Sequence, residues 1–477
     1  MHAEIRQLKL FLMVLFAGSV LANCSDYYID DIERGGGYNY EFGFPELRLS
    51  TAGYYNLDGT PIIDVSGDIV YAGLIYAENA RGDLQADVSI DINITDQKDG
   101  DFVARETITD SLVSDDSGVI FSQNVHRFNE KFEVRPGSFN VEVVLTDEKS
   151  GKQTTQNNEV TIPDYADRIA AISEIQIFGK NNALTNSEFV PVTTYDVPGQ
   201  LDSLKFVVQI TNSTNNDITV NSRLKKFRAD TSIAWPMSIQ NYPRSNIRYQ
   251  GIEYDEFDIL QSGTRTLQQQ GNIFIEYAYK GLDEGNYRLE VEITDGNDVE
   301  AISGREFGIK PPFYPAVKTA RKMAETLYYI MEEDEYEALM SIEDTDSLKS
   351  AIDRFWLKNI NNSALAKEAI SMYYNRVEEA NKQFSNFKEG WKTDPGRVYI
   401  LFGPPWSVDD VLNSRMIWYY TNNLDDPERG FLFRVSDLKS KYFPFDNYIL
   451  DRNILYHNLE YRQIQRWRTG NILSVDL

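Results

Sequence analysis

Apolar and polar residues alternate with a period of two along much of the first two thirds of the chain. Val88, Ile90, Ile92 and Ile94 interleave with Ser89, Asp91 and Asn93, and Phe139, Val141, Val143 and Leu145 repeat the pattern. Such alternation sets the apolar side chains on one face of a strand and the polar ones on the other. Turn clusters such as Asp99-Gly100-Asp101 and Asp115-Asp116-Ser117-Gly118 separate the runs at the spacing of a β-sandwich. From Pro315 the period lengthens, and Val317, Ala320, Ala324, Leu327 and Met331 fall at helical spacing. Leu348, Ile352, Phe355 and Trp356 continue it after an Asp344–Ser347 cap region, and Leu365, Ala369, Tyr373, Ala380, Phe384 and Phe387 outline a longer helix. After Gly390 the pattern reads as strand again. The continuous run Val398–Phe402 predicts a strand buried on both faces, with Met416–Tyr420 and Phe431–Val435 as neighbours.

An internal repeat organises the β-rich part. Gly137-Ser-Phe-Asn-Val-Glu-Val-Val-Leu-Thr-Asp147 matches Gly285-Asn-Tyr-Arg-Leu-Glu-Val-Glu-Ile-Thr-Asp295, and each copy is followed by a second polar strand and a proline boundary. The expected architecture is therefore multidomain. Two tandem immunoglobulin-like β-sandwiches span 38–163 and 166–311, followed by a helical segment at 313–388 and a small α+β C-terminal domain at 389–477. The second sandwich carries an insertion near 222–270. Trp235, Tyr242, Tyr249 and Tyr254 make it aromatic, as a binding loop or as cover for an open sheet edge.

Composition narrows the function classes. The 477 residues include 47 basic and 73 acidic side chains, a net charge of −26, which argues against nucleic-acid binding. With 42% hydrophobic and 13% aromatic residues, the chain has ample material for packed cores. Residues 390–477 hold eleven basic and eleven acidic side chains, so the acidic excess lies ahead of them. One cysteine rules out intramolecular disulfides and Cys-based zinc clusters, and three histidines leave little for His-based chemistry.

The N-terminus reads as an export signal over 1–23. Arg6 and Lys9 form a basic n-region ahead of the apolar stretch Leu10–Ala22, which is short for a membrane span. Leu21-Ala22-Asn23-Cys24 resembles the lipobox of bacterial lipoproteins, with Cys24 as the acylated residue, although Asn23 departs from the small residue usual there. The alternative is cleavage by ordinary signal peptidase after small residues such as Val20 and Ala22, leaving Cys24 a stray thiol. Residues 24–37 form an acidic tether ending in Gly35-Gly36-Gly37. It resembles the surface-export tether of some outer-membrane lipoproteins, and it reads equally as a solvated linker. The resulting expectation is an exported outer-membrane lipoprotein facing the periplasm or the cell surface.

Gly390-Trp-Lys-Thr-Asp-Pro-Gly-Arg-Val-Tyr-Ile-Leu-Phe-Gly-Pro-Pro405 resembles the signature of bacterial GWxTD domain-containing proteins. The resemblance extends upstream through Ala351–Trp356 and Tyr374–Asn381 and downstream through Ile417–Tyr420 and Phe431–Phe433, so that it covers roughly 313–477. Trp406 stands where the family usually has an acidic residue. The resemblance implies an exported envelope protein, commonly with β-rich domains ahead of the C-terminal unit, and carries over no catalytic residue. Gly390, Trp391, Thr393, Asp394, Gly396, Arg397, Gly403, Pro404 and Pro405 are accordingly structural or interaction residues. By their own chemistry, Asp394-Pro395-Gly396 predicts a turn and Gly403-Pro404-Pro405 a strand stop, while Trp391 anchors the helix–sheet corner. Asp394 and Arg397 could pair or cap across the turn. The functional alternative is a shallow pocket floored by Gly403 and rimmed by Trp391, Asp394 and Arg397.

Other chemistry is sparse. There is no phosphate-binding Gly-x4-Gly-Lys-Ser/Thr loop, no His-Glu-x-x-His run and no Gly-x-Ser-x-Gly elbow. His126 and His457 fall in different domains. Calcium could meet Asp96, Asp99 and Asp101, or Asp295, Asn297 and Asp298, but neither set fits the EF-hand ligand ladder, and no metal or cofactor is expected. The basic, aromatic segment Tyr461–Arg468 suits packing better than phosphate contact. The expected function is that of a non-catalytic, lipid-anchored envelope protein whose sandwiches space a C-terminal interaction domain from the membrane toward an envelope or secretion partner. The alternatives are glycan binding through Trp235 or Tyr242, and a carboxylate-dependent hydrolase in the C-terminal unit.

Overall fold

The computed structural model describes residues 43–474 except 165–168, 185–186, 297, 411–414, 421–429 and 436–445. The export signal, Cys24 and the tether lie outside the described residues, as does Asn297.

The alternating runs form strands as their period requires. Strands Leu47–Tyr55, Pro61–Val70 and Val125–Glu133 make one antiparallel sheet. Strands Leu84–Asp96, Gly137–Asp147 and Gln153–Ile162 make the body of a second, with Phe102–Ser114 paired on the free side of Leu84–Asp96. One apolar cluster, including Val88, Ile90, Ile92, Ile94, Val141 and Val143, lies where the apolar faces meet. Beyond residue 170 a second pair of sheets repeats this plan. One contains Gln176–Lys180, Ser203–Asn212 and Gly271–Lys280, and the other Ile218–Ala229, Ile252–Leu267, Gly285–Asp295 and Asp298–Lys310. They share a cluster around Phe206, Leu289, Val291 and Phe307. The two copies of the sequence repeat occupy equivalent places: each pairs with the strand that follows, Gly137 opposite Ile162 and Gly285 opposite Ile309.

The two β-rich units touch through polar groups. The buried amide of Gln209 pairs with the backbone of Tyr55, accepting from its N–H at 2.8 Å and donating to its carbonyl at 2.6 Å. Thr193 donates to Asp68 at 2.9 Å, and Glu174 accepts from Gly53 N–H at 3.2 Å.

Helical periodicity then takes over, as α1 (Ala320–Thr326), α2 (Glu333–Met340), α3 (Thr345–Ile360) and α4 (Ser363–Phe384). Asp344 caps α3 through Ser347 N–H, and Asn362 caps α4 through Ala364 and Leu365. Residues Val398–Phe402 depart from expectation. They form the last turns of a helix, α5 (Asp394–Phe402), rather than a buried strand. Every residue from Asp394 to Leu401 is buried, so the run has no polar face, and without one its periodicity does not separate strand from helix. Local capping decides between them. The Thr393 hydroxyl accepts from Gly396 N–H, Pro395 occupies the first turn, and Gly403 ends the helix at φ +86°.

Strands Ser407–Asp410, Arg415–Tyr419, Gly430–Val435 and Tyr448–Leu450 follow as an antiparallel sheet, and α6 (Tyr456–Thr469) closes the unit. Helices and sheet bury a single cluster that contains Trp356, Trp391, Trp418 and Trp467, each 1% exposed or less. The basic aromatic segment lies in α6, where Trp467 is buried and Arg468 meets Glu335 of α2 at 2.7 Å.

Candidate functional site

The signature residues lie inside the molecule. Two glycines let three stretches of backbone meet. A Cβ on Gly390 would stand 2.0 Å from the carbonyl oxygen of Ala380 in α4, and one on Gly396 would stand 2.0 Å from the carbonyl oxygen of Gly390. Thr393 ties this corner, donating to Gly390 O at 2.7 Å while accepting from Gly396 N–H at 3.1 Å. Trp391, 1% exposed, fills the space beneath. Its backbone N–H donates to Asn381, its carbonyl accepts from the Tyr329 hydroxyl, and its indole N–H donates to Glu389 at 2.8 Å. Burial opposes ionisation of Glu389, yet Lys392 and Lys322 beside it hold its carboxyl below the usual range.

Asp394 and Arg397 do not pair with each other. Asp394 grips the Arg452 guanidinium in a two-pronged contact at 2.6 and 3.0 Å and accepts from Leu450 N–H at 2.8 Å. It thereby ties the start of α5 to the last strand of the sheet. Arg397 reaches Glu460 of α6 at 2.7 Å, stacks on the Tyr329 ring at 4.6 Å and donates to Ala234 O at 3.0 Å. All four charged side chains are nearly fully buried, and such pairs persist where the remaining hydrogen bonds are also made. Gly403 sits against Arg376, whose guanidinium donates to the carbonyls of Ile400 and Leu401 and sits where a Cβ would come within 2.8 Å. Pro404 is exposed, Pro405 is buried, and Trp406 is 67% exposed. Trp391, Asp394 and Arg397, at 1–5% exposure, are therefore interior groups and not the rim of a pocket over Gly403. The carboxylates of Glu389, Asp394 and Glu460 each face cations of the same chain, which leaves them poorly suited to acid/base work on a solute.

The aromatic insertion supplies the other half of this centre. Residues 222–229 and 252–267 are strands of the second unit, and 230–251 leave the sheet as a strap across the C-terminal unit. Met237, fully buried, enters the large cluster, and its N–H donates to the second oxygen of Glu460 at 3.0 Å. Trp235 and Tyr242 pack at 4.4 Å with their planes tilted by 58°. The Arg248 guanidinium covers the first at 4.7 Å and that of Arg452 the second at 4.7 Å. Tyr242 is buried, so the two rings do not form a coplanar exposed platform. Lys388 joins the strap from the other side through Ser232 O and Asp230. Burial pushes its ammonium below the ordinary lysine range against the attraction of Asp230.

A family model for the GWxTD domain matches residues 294–469. The protein contains a GWxTD domain. That span begins in the last strands of the second β-rich unit and includes every residue of the motif core except those of the strap. No curated protein matches the chain. Among solved structures, a red sea bream transglutaminase matches with 10% identity over 55% of this chain and 31% of that one, at a TM-score of 0.18. A DUF4785 family protein from Legionella pneumophila matches with 12% identity over 57% and 58%, at a TM-score of 0.19. Both likenesses are too slight to carry an argument. The GWxTD partners Asn381, Arg452 and Glu460 carry no local signal of their role; of the three, only Asn381 falls in one of the individual stretches that carry the resemblance. Asp96, a candidate calcium ligand, is instead bound to Arg135 at 2.8 Å and to Lys98 N–H. His126 faces Asp110 at 2.8 Å on the first unit, far along the chain from His457 in α6.

Proposed function

We propose that this protein is a non-catalytic component of the bacterial cell envelope, exported and anchored through a lipid on Cys24. In this reading two tandem immunoglobulin-like sandwiches act as a spacer that carries the GWxTD domain away from the membrane to dock on an envelope or secretion partner. The observation that carries it is the strap. Met237, Ala234 and Asn241 of the second β-rich unit bond directly to Glu460, Arg397 and Arg452 of the GWxTD domain. A spacer has to transmit position, and a buried, hydrogen-bonded joint does so where a flexible linker would not. Of the motif residues, Arg397 bonds to the strap while Trp391, Thr393 and Asp394 hold the interior of the C-terminal unit, which supports a presenting role over a reactive one.

The test is site-specific photocrosslinking in native envelopes from Trp406, the exposed aromatic beside the motif. The reading expects one adduct of defined mass that is absent when the crosslinker sits at Leu57, on the first unit. Turnover of a soluble substrate by the purified chain, with no adduct from any GWxTD position, overturns it. Intact-mass analysis tests the anchor separately: an acylated Cys24 start is expected, and an unmodified start refutes it.

A further inference from the structure

In a molecule of charge −26, one cleft on the GWxTD domain reverses the sign. Between the strap and the last three strands of the C-terminal sheet lies a cleft of about 270 Å³ whose lining, among the described residues, carries three guanidinium groups, Arg244, Arg415 and Arg434, and a single carboxylate, Asp451. Arg415 and Arg434 are direct partners across adjacent antiparallel strands, and both line the cleft, so they share a face. Like charges placed directly opposite each other disfavour strand pairing unless a counter-charge sits between them. Asp451 supplies part of that counter-charge. One of its oxygens meets Arg434 at 2.5 Å and the other accepts from Asn241 of the strap at 3.0 Å, so both are engaged. Arg415 is exposed and has no carboxylate within ion-pair distance among the described residues. Arg244 comes from the strap and packs over Tyr249 at 5.9 Å, which places a third cation along the same wall.

We propose that this cleft is a binding site for a carboxylate-bearing ligand, whose carboxylate accepts hydrogen bonds from the opposed Arg415 and Arg434. Arginine forks match a carboxylate in planar, two-pronged geometry, and the Asp451–Arg434 contact already places one such group here. The volume suits one small acid or one acidic side chain, and a junction between two structural units is a usual place for such a site. The assignment is independent of the docking proposal, since the carboxylate can belong to a free solute or to an acidic peptide.

Isothermal titration of the full chain with citrate, and separately with a hexaglutamate peptide, distinguishes these sources at constant ionic strength. Saturable binding in the millimolar range or tighter is expected for at least one probe. Arg415→Gln, a change at an exposed side chain, is expected to weaken it at least about tenfold, the loss of one charge-assisted contact. Arg105→Gln, at an exposed site on the first β-rich unit, is expected to leave it unchanged. Binding of citrate identifies a solute site, and binding of hexaglutamate alone identifies a peptide site. No saturable binding of either probe, or equal binding by the Arg415→Gln variant, overturns the proposal.

Discussion

Replacing Gly396 by alanine tests the motif core most sharply, because two principles give opposite signs. Helix propensity favours Gly→Ala by about 1 kcal/mol in a helix interior, and by less in a first turn. The structure opposes it. The new methyl carbon would stand 2.0 Å from Gly390 O, whereas ordinary Cβ contacts begin at 3.4 Å, so α5 and the Gly390 corner have to separate by more than an ångström. Overpacking of this kind costs about 1–3 kcal/mol. The displaced carbonyl is also the acceptor for the Thr393 hydroxyl, whose capping contact is worth about 1 kcal/mol. The expected net loss is about 2–3 kcal/mol. Gly430→Ala is the control, since its nearest neighbour lies at 3.8 Å in ordinary contact and its strand tolerates alanine. Urea denaturation followed by near-ultraviolet circular dichroism reports the cluster holding Trp356, Trp391, Trp418 and Trp467. A lower midpoint at unchanged slope is expected for Gly396→Ala and none for Gly430→Ala. A Gly396→Ala midpoint equal to or above that of the parent would show that the backbone contact does not exist.

Asp394→Asn removes one partner of a buried pair and leaves Arg452 uncompensated. A loss of about 3–5 kcal/mol is expected in the same assay, and a loss below about 1 kcal/mol would contradict the burial of that pair. Met237→Ala empties a fully buried site in the GWxTD core and is expected to cost about 2–5 kcal/mol, with tryptophan fluorescence of the C-terminal unit reporting damage from a change in the second β-rich unit. Glu174 gives a pH signature. Burial raises its carboxyl to about 7, against hydrogen bonds from Gly53 and Thr161 and the charge of Arg305. The folded state therefore holds a proton that the unfolded chain releases near 4.5. The stabilisation is fully present below that pH and is lost as pH rises through about 7, a change of roughly 2–3 kcal/mol after solvent screening. Denaturation midpoints at pH 5.5 and 8 measure it. Glu174→Gln is expected to flatten the difference, and an unchanged pH profile would refute the assignment.

Periodicity is legible up to residue 390 and again where Met416–Tyr420 and Phe431–Val435 meet the strands Arg415–Tyr419 and Gly430–Val435. Val88 to Ile94 and the two repeat strands read correctly because each has one wet face, and Leu348 to Phe384 read correctly because helical spacing persists over several turns. Val398–Phe402 misled because a segment buried on every side loses its period, and the deciding signal was the Thr393-Asp394-Pro395 cap just ahead of it. Among the site residues, Trp391, Asp394 and Arg397 stood out by type. Their partners did not, since Arg452 and Glu460 look like any surface charge until the fold brings them in from 58 and 63 residues away. The aromatic strap was visible as an anomaly of composition, but its destination depends on the third dimension alone.

The strap also sets an order of events during synthesis. Met237 leaves the ribosome 223 residues before Glu460, the group that receives its N–H. At about 5–20 residues per second, the delay is roughly 10–45 s. Throughout that interval Met237 lacks the cluster that buries it in the folded chain, and Tyr242 lacks the Arg452 guanidinium that covers it. The strap is thus the last part of the second β-rich unit to be completed, because its partner in α6 is made only near the end of the chain.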